Sequence, residues 1–396
     1  MITNRRASLC PVATLGAALI KKAGVGTSNN HSVRADDTVF RNDQAKDTDP
    51  SKPRCKKCRS DRAGTKPCCL RFVFTLILSA TSVCAQLVPG SMDVRWDAGA
   101  PDCKANPQPP IQVHRYEPET FFLRQNLCVS FEGNFLYLLI GSHKALLIDS
   151  GAIRDPARMP VAKTVLDLLP AHDDFKMPLL VVHTHGHTDH RDGDAQFASL
   201  ANVQVAPYDL MGVQKFFGFP SWPNGLAHID LGQRMVDVIP APGHHPAHLV
   251  YYDHRTGLLF TGDFFLPGRL LIEDTADDKQ SAARVIDFVN THAVRYVLGA
   301  HIELDRDGNT YMRGSQYHPQ EHSLELTGED LLQLPAALNR FNGFSSRYGN
   351  LVLMNPVRVL AAEAITVLVA LALIVWSSIR FARRVGKRKK YKGSAS

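Results

Sequence analysis

The chain is 396 residues long with 44% apolar and 21% charged side chains, which excludes a wholly disordered polypeptide and allows one or two globular domains. Its formal charge of +7 is concentrated at the ends: residues 1–71 hold 15 basic and 6 acidic side chains, and residues 380–396 hold 8 basic and none acidic. The body between carries 22 basic against 32 acidic groups, a net of −10, which argues against nucleic acid as a partner and suits a chain whose basic ends face a membrane.

Residues 1–67 are rich in Ser, Asp, Lys and Arg and read as a disordered extension or as sequence upstream of the true start. Cys55, Cys58, Cys68 and Cys69 have knuckle-like spacing, but no helix or hairpin signal surrounds them, and they are not read as a metal site. The run FVFTLILSATSV from Phe72 to Val83 follows Lys66 and Arg71 and ends in small residues, so 68–85 is expected to be a secretory signal segment. Residues 86–112 read as a linker.

The body, 113–325, opens with FLYLLIG from Phe135 and ALLIDSG from Ala145, two apolar runs expected to form a hairpin or adjacent strands. Val161 to Leu169 has helical spacing, and MPLLVVHTH from Met177 is a buried strand running into histidines. Further strands are expected at 202–206, 234–239, 248–253, 257–261 and 295–299, and helices at 190–199, 208–216 and 281–292. Such alternation predicts a layered α/β domain with mixed sheets.

Residues 326–355 read as a helical extension that starts at Thr327, with Asp330 three residues on as an imperfect capping box. Val359 to Ile379 holds 21 residues with Glu363 as its single charge, enough to span roughly 30 Å as a helix. The basic tail 380–396 belongs on the cytoplasmic side. Together these cues predict a single C-terminal transmembrane helix in contact with membrane lipid and an extracytoplasmic body. There Cys103 and Cys128, the two cysteines of the mature portion, are expected to form a disulfide, with free buried thiols as the alternative.

HTHGHTDHRDG places His185, His187, Asp189 and His190 within six residues after an apolar strand. Packing has no use for four such side chains in one turn, whereas imidazole and carboxylate are common ligands of zinc. PGHHPAH adds His244, His245 and His248; TGD adds Asp263; GAH adds His301. Each arrives at the end of a predicted strand, where short loops converge.

The ordered set LIDSG, THGHTDH, PGHHPAH, TGD and GAH, spread over roughly residues 113–325, resembles the metallo-β-lactamase superfamily, its glyoxalase II-like members more than the true lactamases. The resemblance implies an αββα sandwich and two Zn²⁺ ions, with Fe or Mn as alternatives. It assigns His185, His187 and His244 to one ion, Asp189, His190 and His301 to the other, and Asp263 to both. Asp149 and His248 would support the ligand loops, and Asp189 would also hold the attacking species. His245 replaces the Thr or Ser common in relatives and is a pocket candidate, as are Phe217, Trp222, Tyr311 and Arg313.

The implied activity is zinc-dependent hydrolysis of a small-molecule thioester, lactone or other ester or amide, with a metal-bridging hydroxide attacking the carbonyl. A mononuclear iron dioxygenase acting on a sulfur compound, and a non-catalytic membrane-attached binding module, are the alternatives. No Gly-x-Ser-x-Gly elbow is present, so serine catalysis is not expected.

Overall fold

The computed structural model describes residues 86–172 and 175–393; the extension and signal segment expected at 1–67 and 68–85 lie outside them. The segment 86–112, expected as a linker, lays Met92 and Trp96 against the protein core and ends inside the first strand.

Strands β1 (Ile111–Glu117), β2 (Thr120–Gln125), β3 (Phe135–Ile140) and β4 (Ala145–Ile148) form an antiparallel meander. Helix α1 (Val161–Leu168) and a small hairpin, β5 (Ala171–His172) with β6 (Phe175–Lys176), lead to β7 (Leu179–Val182). Helix α2 (Thr188–Arg191) and a 3₁₀ turn (Asp192–Gln196) then lead to β8 (Val203–Val205) and helix α3 (Leu210–Phe217). The first sheet has the order β1-β2-β3-β4-β7-β8, and β7 runs parallel to both of its neighbours.

The second half mirrors this layout. Strands β9 (Ala227–Asp230), β10 (Met235–Pro240), β11 (Leu249–Asp253) and β12 (Leu258–Gly262) are again antiparallel neighbours. After β13 (Arg269–Leu271), helix α4 (Thr275–Val289) crosses to β14 (Tyr296–Gly299), which joins β12 in parallel. Strand β15 (Glu325–Leu326) closes the second sheet, of order β15-β14-β12-β11-β10-β9.

Strands buried on both faces need apolar residues at every position, and β3 (FLYLLI) and β4 (ALLI) have them. The inward set of the first sheet, including Phe122, Tyr137, Leu139, Leu146 and Val182, packs against Val236, Val238, Tyr251 and Phe260 of the second. The opposite face of the first sheet, with Leu136, Leu138 and Leu147, packs on Val161 and Val165 of α1. Ile239, Val250, Leu259 and Val297, on the far face of the second sheet, cover Ala282 and Val285 of α4 together with the helices that follow. The result is an αββα sandwich of mixed α/β class.

Three expectations differ from what forms. The helix expected at 190–199 is one α-turn followed by a 3₁₀ turn, because Gly193 packs its Cα on the chain: a Cβ there would lie 2.1 Å from the Ser150 carbonyl oxygen. Helix α4 starts six residues before the expected 281, where Asp274 accepts from the amides of Ala276 and Asp277 at 2.8 and 3.0 Å. Residues 326–355 hold two short helices, α5 (Gly328–Leu331) and α6 (Leu334–Arg340), and then a hairpin of β16 (Ser345–Tyr348) and β17 (Leu351–Met354). Both halves of the Thr327–Asp330 capping box are made. Strand β17 pairs in parallel with β13, and this pairing carries the chain back toward the motif loops.

Helix α7 (Pro356–Gly393) ends the described chain. Its portion Pro356–Arg384 is long and apolar enough to cross a membrane. Cys103 and Cys128 are joined by a disulfide, with their Cα atoms 5.4 Å apart.

Candidate metal centre

Five motif loops leave the C-terminal ends of strands and meet at one edge of the sandwich. Asp149 follows β4; His185, His187, Asp189 and His190 follow β7; His244 follows β10; Asp263 follows β12; His301 follows β14. Their ligand atoms form two clusters, His185–His187–His244 and Asp189–His190–Asp263–His301, with the atoms of each lying within 4.8 Å of one another.

In the first cluster His244 Nε2 lies 3.2 Å from His185 Nε2 and 3.1 Å from His187 Nδ1, and those two lie 2.9 Å apart. Three lone pairs directed at one point repel unless a cation stands among them. Tetrahedral zinc, with bonds of about 2.0 Å, sets its nitrogens about 3.3 Å apart, close to this spacing. In the second cluster His190 Nε2 lies 3.1 Å from Asp189 Oδ2, and His301 Nε2 lies 3.3 Å from Asp263 Oδ1.

Asp263 faces both clusters. Its Oδ1 is turned to His301 and to His190, the latter at 3.5 Å, while its Oδ2 is 3.6 Å from His244 Nε2. Oδ1 is buried without a hydrogen-bond partner, a costly state for a carboxylate oxygen that a cation would relieve.

The ring orientations are set from behind. His190 turns Nδ1 to Asp149 Oδ2 at 2.9 Å, His244 Nδ1 to the Leu271 carbonyl at 2.9 Å, and His301 Nδ1 to the Glu132 carbonyl at 2.7 Å. Each of these contacts takes the Nδ1 proton and leaves the Nε2 lone pair facing inward. Asp149 sits at φ 64° and is held by the Thr184 amide at 2.7 Å and the Thr184 hydroxyl at 2.9 Å. Gly262 leaves the space that this arrangement needs, since a Cβ there would fall 2.6 Å from Thr184 Cβ.

Charge states follow from burial and from neighbours. Burial, reinforced by His190 and His244, holds His185 well below the ordinary histidine range, in the neutral state that binds metals. Burial alone would raise the Asp189 carboxyl, but His190 and His301 hold it well below the usual carboxylate range. Asp263 is kept anionic in the same way, burial being opposed by His301 and His190. Burial, His187 and His244 lower His245 to about 4. In the first cluster burial also lowers His244, so that His185 and His244 offer neutral rings, whereas in the second cluster the carboxylates overcome burial and hold His190 and His301 well above the ordinary histidine range, a pairing of charges that a cation would replace.

Residues 131–301 match the family model described as the metallo-beta-lactamase superfamily. That stretch, which holds all seven candidate ligands, is similar to the metallo-beta-lactamase superfamily. The acyl-coenzyme A thioesterase MBLAC2 of Gallus gallus is 24% identical over 231 residues, which cover 50% of this chain and 82% of that protein. The hydroxyacylglutathione hydrolase of Anaeromyxobacter dehalogenans is 33% identical over 130 residues, 33% of this chain and 45% of that protein. Among solved structures, a metallo-beta-lactamase from Erythrobacter litoralis aligns with a TM-score of 0.41 at 16% identity, covering 59% of this chain and 98% of its own.

A cavity of about 570 Å³ opens from the candidate metal centre, and His187, Asp189, His244, Asp263 and His301 form its floor. Tyr311 and Arg313 line it. Phe217 and Trp222 instead pack against the core between the sheets and are not among its lining residues. The apolar wall is supplied by other residues, among them Leu266, Leu271, Met354 and Leu360. His245 is half-buried beside Gly186, its ring centroid 5.2 Å from that of His187. His248 stacks on His185 with centroids 5.1 Å apart, and neither of its ring nitrogens has a partner, so it supports the loop by packing.

Sequence reasoning did not single out Asn134, whose amide reaches Asp189 Oδ2 at 3.4 Å, or Thr184. Thr184 sits inside the motif, between His183 and His185, and its proximity to the ligands was the available signal. The carbonyls of Leu271 and Glu132 leave no trace in side-chain identity.

Proposed function

We propose that this chain is a metal-dependent hydrolase that cleaves a thioester or a related activated carbonyl. In this reading His185, His187 and His244 hold one zinc ion, Asp189, His190 and His301 hold a second, and Asp263 joins them. The observation that carries it is the Asp263 carboxylate, which presents one oxygen to each cluster. When bound, two zinc ions supply Lewis acidity: they bring the pKa of water down to about 7 and take up negative charge developing on a carbonyl oxygen.

The residues supply the rest. Asp189, kept anionic and steadied by Asn134, is the group placed to orient a water molecule and accept its proton. Asp149, Leu271 and Glu132 fix the inward-facing nitrogens, so little reorganisation accompanies turnover. The resemblance to an acyl-coenzyme A thioesterase and to hydroxyacylglutathione hydrolases, as those proteins are named, favours a thioester over a lactam.

We read 113–325 as the catalytic domain, standing outside the cytoplasm on a single membrane-spanning helix with 380–396 as its cytoplasmic tail. The Cys103–Cys128 disulfide and the basic tail support this placement. The test is a panel of thioesters, lactones, β-lactams and phosphodiesters offered to the full-length protein in detergent. Thioester turnover that is lost on chelation and restored by zinc is expected. A metal-loaded protein that cleaves only phosphodiesters or β-lactams, or consumes O₂, would replace this reading.

A further inference from the structure

The cavity above the metal centre does not open onto bulk solvent alone. Val359, Leu360 and Glu363, from the first turns of α7, are part of its lining, and Met354 and Pro356 lead into them. The helix read as the membrane anchor is thus a wall of the active-site cavity.

Its position is fixed by a short relay of contacts. The Leu271 carbonyl orients His244, and Leu271 is the registered partner of Met354 where β13 pairs with β17. The Ile272 amide donates to the Met354 carbonyl at 2.8 Å. Asn355, the next residue, is buried; its side-chain Nδ2 donates to the Ile272 carbonyl at 2.8 Å and its Oδ1 accepts from the Arg358 backbone amide at 2.9 Å. The start of the anchor is therefore tied directly to the strand that holds a metal-ligating histidine, with no free tether between them.

The lining is asymmetric. Toward the anchor Leu266, Leu271, Met354, Val359 and Leu360 form an apolar wall edged by Arg269, Glu273 and Glu363, while the exposed Arg313 and Met312 lie on a separate loop. Along α7, past Glu363, the helical face that begins at Leu360 continues through Val367, Leu371 and Ile374, which are exposed and apolar like the rest of that span. The apolar wall of the cavity at Val359 and Leu360 is therefore continuous, beside Glu363, with the apolar surface of the membrane-crossing helix.

We propose that the substrate is a long-chain acyl thioester taken from the bilayer, its acyl chain lying against this face of α7 and its thioester carbonyl at the metal centre. This rests on the thioester reading above. Water adds to the acyl carbon and the carbon–sulfur bond breaks. The acyl group leaves as a carboxylate with its chain still in the bilayer, one proton goes to solvent, and the thiol departs with the other proton to the aqueous side.

The test uses the full-length protein in phosphatidylcholine vesicles with acetyl-, octanoyl- and palmitoyl-coenzyme A. Because each buried methylene favours binding several-fold, kcat/KM is expected to be at least about 100-fold higher for the palmitoyl than for the acetyl thioester. Leu360→Glu, which places a charge on the apolar wall, is expected to lower the palmitoyl-to-acetyl ratio at least about tenfold with metal content retained. Equal rates across the series, or preference for the acetyl thioester, would overturn the bilayer substrate while leaving thioester hydrolysis in place. Absence of turnover for every thioester by metal-loaded protein would remove both readings. The wild-type series decides the matter even where Leu360→Glu fails to insert.

Discussion

Asp149 and His190 meet in the protein interior, Asp149 Oδ2 lying 2.9 Å from His190 Nδ1 with both side chains essentially excluded from solvent. Asp149 ends a strand of the first sheet and His190 belongs to the turn after the next strand, so this contact couples the sheet edge to the second ligand cluster. A carboxylate behind an imidazole raises its basicity and fixes its tautomer. Asp149→Asn keeps the shape and lowers the charge, and is expected to weaken metal affinity by about 10- to 100-fold. Competition with a chelator of known affinity measures it; unchanged affinity would remove Asp149 from that role.

In the proposed reading Asp189 joins metal binding to the handling of water. Asp189→Ala is expected to lower turnover by at least about 100-fold while shifting the unfolding transition little, because the side chain is partly exposed at the cavity floor and supports no core packing. Assays at saturating zinc paired with thermal melts separate the two effects. Full turnover with both ions bound would refute the orienting role.

The loop that carries Tyr311 is held to the first sheet by a buried ion pair. Arg124 Nη1 and Nη2 donate to Glu321 Oε2 and Oε1 at 2.6 and 2.5 Å, with side-chain exposures of 1% and 8%. Glu321→Ala leaves a buried guanidinium without its partner and is expected to cost about 3–5 kcal/mol. Unfolding of the purified protein in detergent reads the loss, and a change below about 1 kcal/mol would mean that solvent reaches the pair.

Asp278 presents the opposite case. It lies on α4 beneath Gly243, and burial, then Asp274 and Asp277, push its carboxyl well above the usual range; Oδ2 has no partner. An acid whose folded pKa is raised adds stability that is complete below its unfolded pKa and declines as pH rises toward the folded value. Asp278→Asn is therefore expected to raise the melting temperature at neutral and alkaline pH, with the gain vanishing toward pH 4. Melts across that range test the sign, and a variant less stable than wild type at pH 8 would contradict it.

Much of the candidate centre was legible because so many potential metal ligands are chemically improbable elsewhere. His185, His187, Asp189 and His190 crowd one turn, and apolar strands announce the positions of His244, Asp263 and His301. Strands apolar at every position, such as FLYLLI and ALLI, pointed to a layered α/β domain with mixed sheets, and the resemblance carried by the motifs supplied the αββα sandwich. Less legible were contacts that depend on main-chain atoms or on distant pairing. The carbonyls that orient His244 and His301 could belong to any residue. Strand β17 was hidden because LVLM from Leu351 stands close to the longer apolar anchor, and only its parallel pairing with β13 distinguishes it. Phe217 and Trp222 looked like a pocket wall from composition, yet the same apolar character serves the inter-sheet core, where they pack.

The central claim is that two ions sit where Asp263 faces both clusters. It is tested most directly by metal analysis of the full-length protein purified without added zinc, with Asp263→Ala in parallel. Close to two zinc ions per wild-type chain, and a marked loss of metal in a folded Asp263→Ala variant, is the predicted result. A folded wild-type protein that holds no metal, and takes none up when zinc is supplied, would contradict the account.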